Sequence, residues 1–462
     1  MKKTSVQRRS LLKAGAGTAT LWPLPSIWAQ EAKLRPLEDF FRAPQLSNVA
    51  ISPDGRTLLA LRQSNGRTNL AVVDLGTMKT TIVTNFSDAD VSEPRWISGE
   101  RMVFSLRDQR QGGGYQRAGG LMAINKDGTA YVQLAQRDWL ADGDSRARLP
   151  ANTTVYGKGQ TSSPDEIIVI VHSSGASRRY TQRLERLNTR TGRTTPITLG
   201  APGDPSQWLL DSKDVPRAVV TREERVFQLW VRAGEAAEWR SLQRWDILEP
   251  AIEPAALMAD GNLLVLANAH GSDTRGVFLL DTQSGVIDPE PVVSLKGYDI
   301  DAVAYHSKSD EVLGVRYEAA RPGIAWFSAE HEALQKGFEQ VFPDRTVRFS
   351  SNLKSEAQKL LVTTTSDTDA GTYYLYDQKA KGLTKIGETR PWLPAAEMAS
   401  TQFIRYTARD GLSIPAQLTL PKGVKPENLP LIVLHYGGPM VRAIHWGFDP
   451  WCSCSPRGAM RC

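Results

Sequence analysis

The chain has 462 residues, 41% of them hydrophobic and 23% charged, a composition that builds buried cores and excludes a disordered or fibrous protein. Its net charge of +6 suggests nucleic acid, but Lys2, Lys3, Arg8, Arg9 and Lys13 supply +5 of that and residues 1–30 contain no acid. The remaining +1 is interspersed, without the clustered cationic face that nucleic acid demands, and no run of about 18 apolar residues reads as a membrane span.

Residues 1–29 read as an export signal. Gln7-Arg8-Arg9-Ser10-Leu11-Leu12-Lys13 resembles a twin-arginine motif, a mildly apolar stretch runs from Ala14 to Trp28, and the small residue Ala29 follows. The mature protein is therefore expected in the periplasm or outside the cell. The body needs no disulfides there, because the first 451 residues contain no cysteine.

From residue 46 to about 390 the chain reads as short strands separated by recurring turns. Ser52-Pro53-Asp54-Gly55 precedes Leu58 to Leu61, Ser163-Pro164-Asp165-Glu166 precedes Ile167 to Val171, and Asp260-Gly261 precedes Leu263 to Leu266. Turns anchored at 54, 99, 165, 213, 260, 309 and 355 lie 45, 66, 48, 47, 49 and 46 residues apart. Each unit then shows a second strand ending in a polar turn, as in Leu70-Ala71-Val72-Val73-Asp74 and Tyr373-Tyr374-Leu375-Tyr376-Asp377.

Four strands in each period of about 40–50 residues is the signature of a propeller blade. Seven units predict a mainly β chain with a seven-bladed propeller over residues 30–395; a β-sandwich array has no need of such even spacing. Blade six is the least regular, because Glu330 to Phe342 reads as a helix where a strand is due.

No cofactor or metal motif emerges from this region. His331-Glu332 opens like a zinc-peptidase helix, but the fifth position is Gln335 where a second histidine is required. Glu223-Glu224 reads as a solvated turn beside Arg222 and Arg225 rather than an anchor for a substrate amine. His172, His270 and His306 stand singly and are assigned structural roles.

The pattern changes after Trp392-Leu393-Pro394. Phe403 to Tyr406 alternates, Arg409-Asp410-Gly411 turns the chain, and Ile414 to Leu420 returns as the partner strand. The continuous apolar run Leu431 to Leu434 reads as a strand buried on both faces, and it leads into His435-Tyr436-Gly437-Gly438-Pro439. A hairpin, a buried strand and a glycine-rich turn describe the start of an α/β-hydrolase sheet, assigned to residues 396–451.

Taken with Asp410-Gly411, Tyr436-Gly437-Gly438-Pro439 and Trp446-Gly447-Phe448-Asp449-Pro450-Trp451, this organisation resembles the prolyl oligopeptidase family of serine peptidases over residues 35–451. The dipeptidyl- and acylaminoacyl-peptidase-like branches are the nearest. The resemblance implies that Tyr436 donates its hydroxyl to the oxyanion of the tetrahedral intermediate, a role worth roughly 3–4 kcal/mol of barrier for one good donor. It further implies oligopeptide substrates, filtered by the propeller, and no cofactor. It gives no oligomeric state.

The serine, aspartate and histidine that such chemistry needs are not found. No Gly-x-Ser-x-Gly elbow occurs; the nearest approach, Gly411-Leu412-Ser413-Ile414-Pro415, falls in a hairpin strand and lacks the last glycine. Cys452, Cys454 and Cys462, the three cysteines of the chain, all lie in its last eleven residues. One GC-rich back-translation of residues 452–462, with a single G restored in front, reads Val-Gln-Leu-Leu-Ala-Ser-Arg-Arg-Tyr-Ala-Val, a helix running into a strand. These residues are accordingly expected to be out-of-frame translation, which resequencing the gene tests. The chain then reads as a fragment of an exported serine peptidase, inactive as written. The alternative is a non-catalytic periplasmic propeller that binds partners, which leaves residues 401–451 unexplained.

Overall fold

The computed structural model describes residues 35–462 except 111–118, 138–148, 158–160, 162, 175–179, 307–310, 424, 435–444, 455–458 and 462. The export signal lies outside the described residues. Seven antiparallel sheets follow one another along the chain, spanning residues 47–82, 90–133, 154–196, 205–246, 252–280, 300–326 and 346–388. They are blades one to seven, and each is built from consecutive strands in sequence order.

Period-two alternation turns these sheets into a ring, because successive side chains of a strand face opposite neighbours. On the second strand of blade one, Leu59 and Leu61 pack with Val91, Met102 and Phe104 of blade two. Leu58, the residue before them on the opposite face, packs with Leu361, Tyr373 and Leu375 of blade seven. The same device joins blades two and three through Val103 and Val169, and three and four through Leu184 and Trp208. Blades four and five share Val220 and Val265, and five and six share Leu266 and Val315. A blade hides neither face alone; seven in a ring hide both.

The Ser-Pro-Asp-Gly turn shows how such corners hold. The Ser52 hydroxyl accepts from the Thr57 N–H at 3.0 Å, and the Asp54 carboxylate accepts from the Arg56 N–H at 3.1 Å. Gly55 has φ +75°, where a side chain is strained. A Cβ on it would meet the Ser355 hydroxyl of blade seven at 2.8 Å. Across the same seam the Asn352 amide donates to the Pro53 carbonyl, and Arg56 pairs with Glu356 at 3.1 Å. Among the described residues no strand is shared between blades one and seven.

Two blades depart from the four-strand pattern. In blade five the fourth strand is reduced to isolated bridges, Leu280 with Ile287 and Val277 with Val293. Pro289 and Pro291 fall between them and have no N–H to donate to a ladder. In blade six helix α2 (Ala329–Val341) takes the place of the outer strand, as its sequence indicated. Phe338, with Leu334 one turn before it, packs on Val347 and Val362 of blade seven.

After blade seven, strands Thr401–Thr407 and Ser413–Thr419 form the expected hairpin, turning at Gly411 with φ +86°. Ala459–Arg461 pairs antiparallel with the second of these and parallel with Val433–Leu434, giving a mixed four-stranded sheet. Here the expectation for Leu431 to Leu434 is corrected: the ladder covers only Val433 and Leu434, at the sheet edge. Leu431, Ile432 and Val433 are 59%, 42% and 44% exposed, because no described element packs over the run. Residues 452–454, assigned to the tail, continue helix α3 (Pro450–Ser453), which Asp449 caps through the Trp451 and Cys452 N–H groups.

The N-terminal helix α1 (Leu37–Phe41) packs on this post-propeller segment. Phe40 is buried with Leu393 and Met398, and Phe41 meets Trp451 edge-on with ring centroids 4.8 Å apart. The Trp392 indole donates to the Asp39 carbonyl at 2.7 Å, and the Arg42 guanidinium lies 3.5 Å from the same indole ring.

Candidate functional site

The innermost strands of the blades surround a cavity of about 840 Å³, the central channel. Its wall draws on six of the seven blades because each blade presents its first strand to the axis. Between blades six and seven a second cavity of about 740 Å³ opens, and Ala302, Val303, Tyr305, Arg316, Phe349 and Ser351 border both.

The channel wall is charged and largely self-neutralised. Asp211 pairs with Arg217 at 3.1 Å, Asp214 with Arg186 at 3.2 Å, and Glu253 with Arg275 at 3.2 Å. Tyr156 stands between blades three and four and donates to the Trp208 carbonyl at 3.1 Å. Its burial pushes the phenol pKa up to about 12. Asp301 sits at the irregularity between Ile300 and Ala302 in the innermost strand of blade six, and desolvation raises its pKa. Desolvation lowers that of Arg316, and the neighbouring charge of Arg348 lowers it further.

The post-propeller segment docks beside the second cavity, which Glu318 and Arg321 border. His445 Nδ1 lies 3.1 Å from Glu318 Oε2, the Trp446 N–H donates to Glu318 Oε1 at 3.3 Å, and Arg321 stacks on the Trp446 ring at 4.4 Å. Beside them Arg405 reaches the Tyr298 hydroxyl at 3.5 Å, and the Thr401 N–H donates to Asp367 of blade seven at 2.7 Å. Blades six and seven, with Tyr298 just ahead of blade six, thus hold the segment beside the second cavity.

Tyr436, the one candidate catalytic residue, lies outside the described residues, as do His435, Gly437 and Gly438. The strand Val433–Leu434 leads directly into them. Ser413 opens the return strand of the hairpin opposite Thr407, a ladder position with no resemblance to a nucleophile elbow. Glu223 and Glu224 are an exposed hairpin turn, with Arg222 Nε donating to the Glu224 carbonyl. The His331 ring sits 2.8 Å from Ser328 Oγ and 3.1 Å from the Ser351 carbonyl, so both nitrogens are engaged in holding α2. Arg316, Arg348 and Glu318 were not anticipated. A charge in the middle of an apolar strand, as in Val315-Arg316-Tyr317, is the signal that marks them.

Comparison with known proteins gives the geometry its context. Over 92% of its length the chain superposes on a puromycin-hydrolysing peptidase of Mycobacterium tuberculosis, with TM-score 0.60 and 13% identity, matching 67% of that protein. Prolyl oligopeptidase B from Galerina marginata matches over 92% of this chain and 62% of its own, with TM-score 0.57 and 11% identity. The fold is that of the prolyl oligopeptidase family peptidases. Dipeptidyl aminopeptidase BIII of Pseudoxanthomonas mexicana is 24% identical over 213 residues, which is 43% of this chain and 30% of that enzyme. No protein-family profile matches the chain. The matched part is thus under a third of that aminopeptidase and about two thirds of the superposed prolyl oligopeptidase family structures. The resemblance drawn from the Ser-Pro-Asp-Gly turns and the hydrolase-like segment is borne out at the level of this peptidase family and its propeller. Among the described residues no helix is long and apolar enough to cross a membrane.

Proposed function

We propose that the chain supplies the propeller and the first hydrolase strands of an exported serine peptidase that hydrolyses short peptides by acyl transfer. The observation that carries this reading is the segment after blade seven: the antiparallel hairpin of Thr401–Thr407 with Ser413–Thr419, followed by the strand Val433–Leu434, held against blades six and seven through Glu318 and Asp367. A propeller used only for partner binding has no need of that segment. The similarity to dipeptidyl aminopeptidase BIII supports the same reading.

In this reading a peptide enters the channel and meets the hydrolase part near Glu318. The propeller limits entry to oligopeptides, and Tyr436, just after the strand Val433–Leu434, donates to the developing oxyanion. These 462 residues contain no Gly-x-Ser-x-Gly elbow, so a polypeptide of this sequence alone turns over no peptide. The test is a fluorogenic peptide panel on the purified chain: no hydrolysis is expected, and turnover blocked by a serine-reactive phosphonate overturns the statement. Export is tested by fusing residues 1–34 to a folded reporter. Replacing Arg8 and Arg9 by lysine should abolish transport, and undiminished transport sinks the twin-arginine assignment.

A further inference from the structure

Among the described residues the acidic side chains of the channel wall are paired, whereas two arginines bordering the cavity between blades six and seven are not. Asp211, Asp214 and Glu253 each hold an arginine, and Glu318 holds His445 and the Trp446 N–H. Arg316 stands mid-strand in blade six, opposite Ala302 and Ile324, and borders both cavities. Arg348 stands on the innermost strand of blade seven, opposite Thr363, and borders the second cavity. Among the described residues neither guanidinium has a hydrogen-bond or ion-pair partner, while Arg345 beside them is matched by Asp369. The carboxylates of Asp301 and Glu339 border the same space, Glu339 accepting from the Gln335 amide, and Arg321, stacked on Trp446, borders it as well.

Arg316 and Arg348 are solvent-accessible cations bordering one cavity; like charges so placed repel, and an anion between them relieves that cost. The planar guanidinium fork matches a carboxylate in two parallel hydrogen bonds. A cavity of about 740 Å³ is of the size that encloses a small ligand. Its position is specific. Glu318, which receives the post-propeller segment, lies two residues beyond Arg316 on the same strand, roughly 7 Å along it. A group held by the arginines is therefore close to where the hydrolase-like segment docks.

We propose that Arg316 and Arg348 form a carboxylate-binding site that anchors a short peptide by its free C-terminus or by an acidic side chain. The inference rests on the peptidase reading for the identity of the ligand as a peptide; the unpaired arginines stand without it. Selectivity for anionic peptides would then be set in the propeller, by blades six and seven.

The test uses the purified 462-residue chain and three dye-labelled tetrapeptides followed by fluorescence anisotropy. One has a free C-terminal carboxylate and no acidic side chain, the second is its C-terminal amide, and the third is an amide carrying one glutamate. The free acid or the glutamate peptide is expected to bind about tenfold or more tighter than the neutral amide, and the tighter of the two identifies the source of the carboxylate. The preference should vanish in R316Q and in R348Q and persist in part in R316K, with unchanged thermal unfolding showing that each variant is folded. If the neutral amide binds as well as both anionic peptides, or the preference survives in both glutamine variants, the anion site is wrong while peptide binding stands. If none of the three binds, both readings fall.

Discussion

His445 and Glu318 join two parts of the chain 127 residues apart, Nδ1 to Oε2 at 3.1 Å, and the Trp446 N–H completes a two-point grip on the same carboxylate. Glu318 is the sheltered partner, with 16% of its side chain exposed against 67% for His445. Replacing Glu318 by alanine removes both acceptors and leaves the propeller core untouched. In the E318A variant, proteolysis between residues 395 and 430 should accelerate several-fold, while a fragment ending near residue 395 stays resistant. Equal cleavage rates in variant and parent would show that the grip does not hold the segment. Uniform resistance through residue 450 in the parent would show that the segment is as stable as the blades.

Arg101 makes a different kind of joint. Its side chain is fully buried, and it donates to the Thr189 hydroxyl and carbonyl at 2.9 and 2.6 Å, to Asn125 Oδ1 and to the Ala130 carbonyl. Blades two and three are thereby pinned by one cation with neutral acceptors, and burial lowers its pKa. R101A should cost about 3 kcal/mol or more, because it empties a buried site and orphans several acceptors. Denaturant unfolding measures this, and a loss below about 1 kcal/mol contradicts the assignment.

Gly55 closes the ring at close quarters. An alanine there must adopt φ +75° and place its Cβ 2.8 Å from the Ser355 hydroxyl. G55A is expected to destabilise by about 1–2 kcal/mol. The double variant G55A/S355G removes the clash and should recover part of that loss, leaving the backbone strain. Full recovery would assign the whole effect to the seam contact, and none would assign it to the backbone.

Tyr156 gives a pH signature. Burial raises its pKa to about 12 from an ordinary value near 10. Between those values the folded chain retains a proton that the unfolded chain releases, so stability falls as pH rises through that window and is unaffected by this group below it. The loss approaches about 3 kcal/mol at its upper end. Urea unfolding from pH 9 to 11.5 should show a steeper decline in the parent than in Y156F. Parallel slopes would mean the phenol is not enclosed between blades three and four.

Much of this architecture was legible because a propeller writes its period into the chain. Each turn anchor falls between the first and second strands of one blade, and the alternation of Leu58 against Leu59 already divides the residues facing blade seven from those facing blade two. Helix α2 was legible for the same reason, with Leu334 and Phe338 at helical spacing. The lost fourth strand of blade five was not, since Val286 to Val293 has strand composition and only the two prolines break the ladder. For Leu431 to Leu434, four apolar residues in a row specify a strand but not what covers it, and the run is left exposed. The channel charges were hidden for a geometric reason. Whether a mid-strand arginine meets an acid depends on the neighbouring blade, as the contrast between Arg186, matched by Asp214 of blade four, and Arg348 shows.

The absence, among the described residues, of a strand common to blades one and seven has a mechanical corollary. Every other neighbouring pair of blades is tied by the polypeptide itself, whereas this seam is stitched by side-chain packing and a few isolated bonds such as Ala357 N–H to the Asp54 carbonyl. Tension applied to the two ends of the ring should part it there first, like a split washer, before any blade unravels.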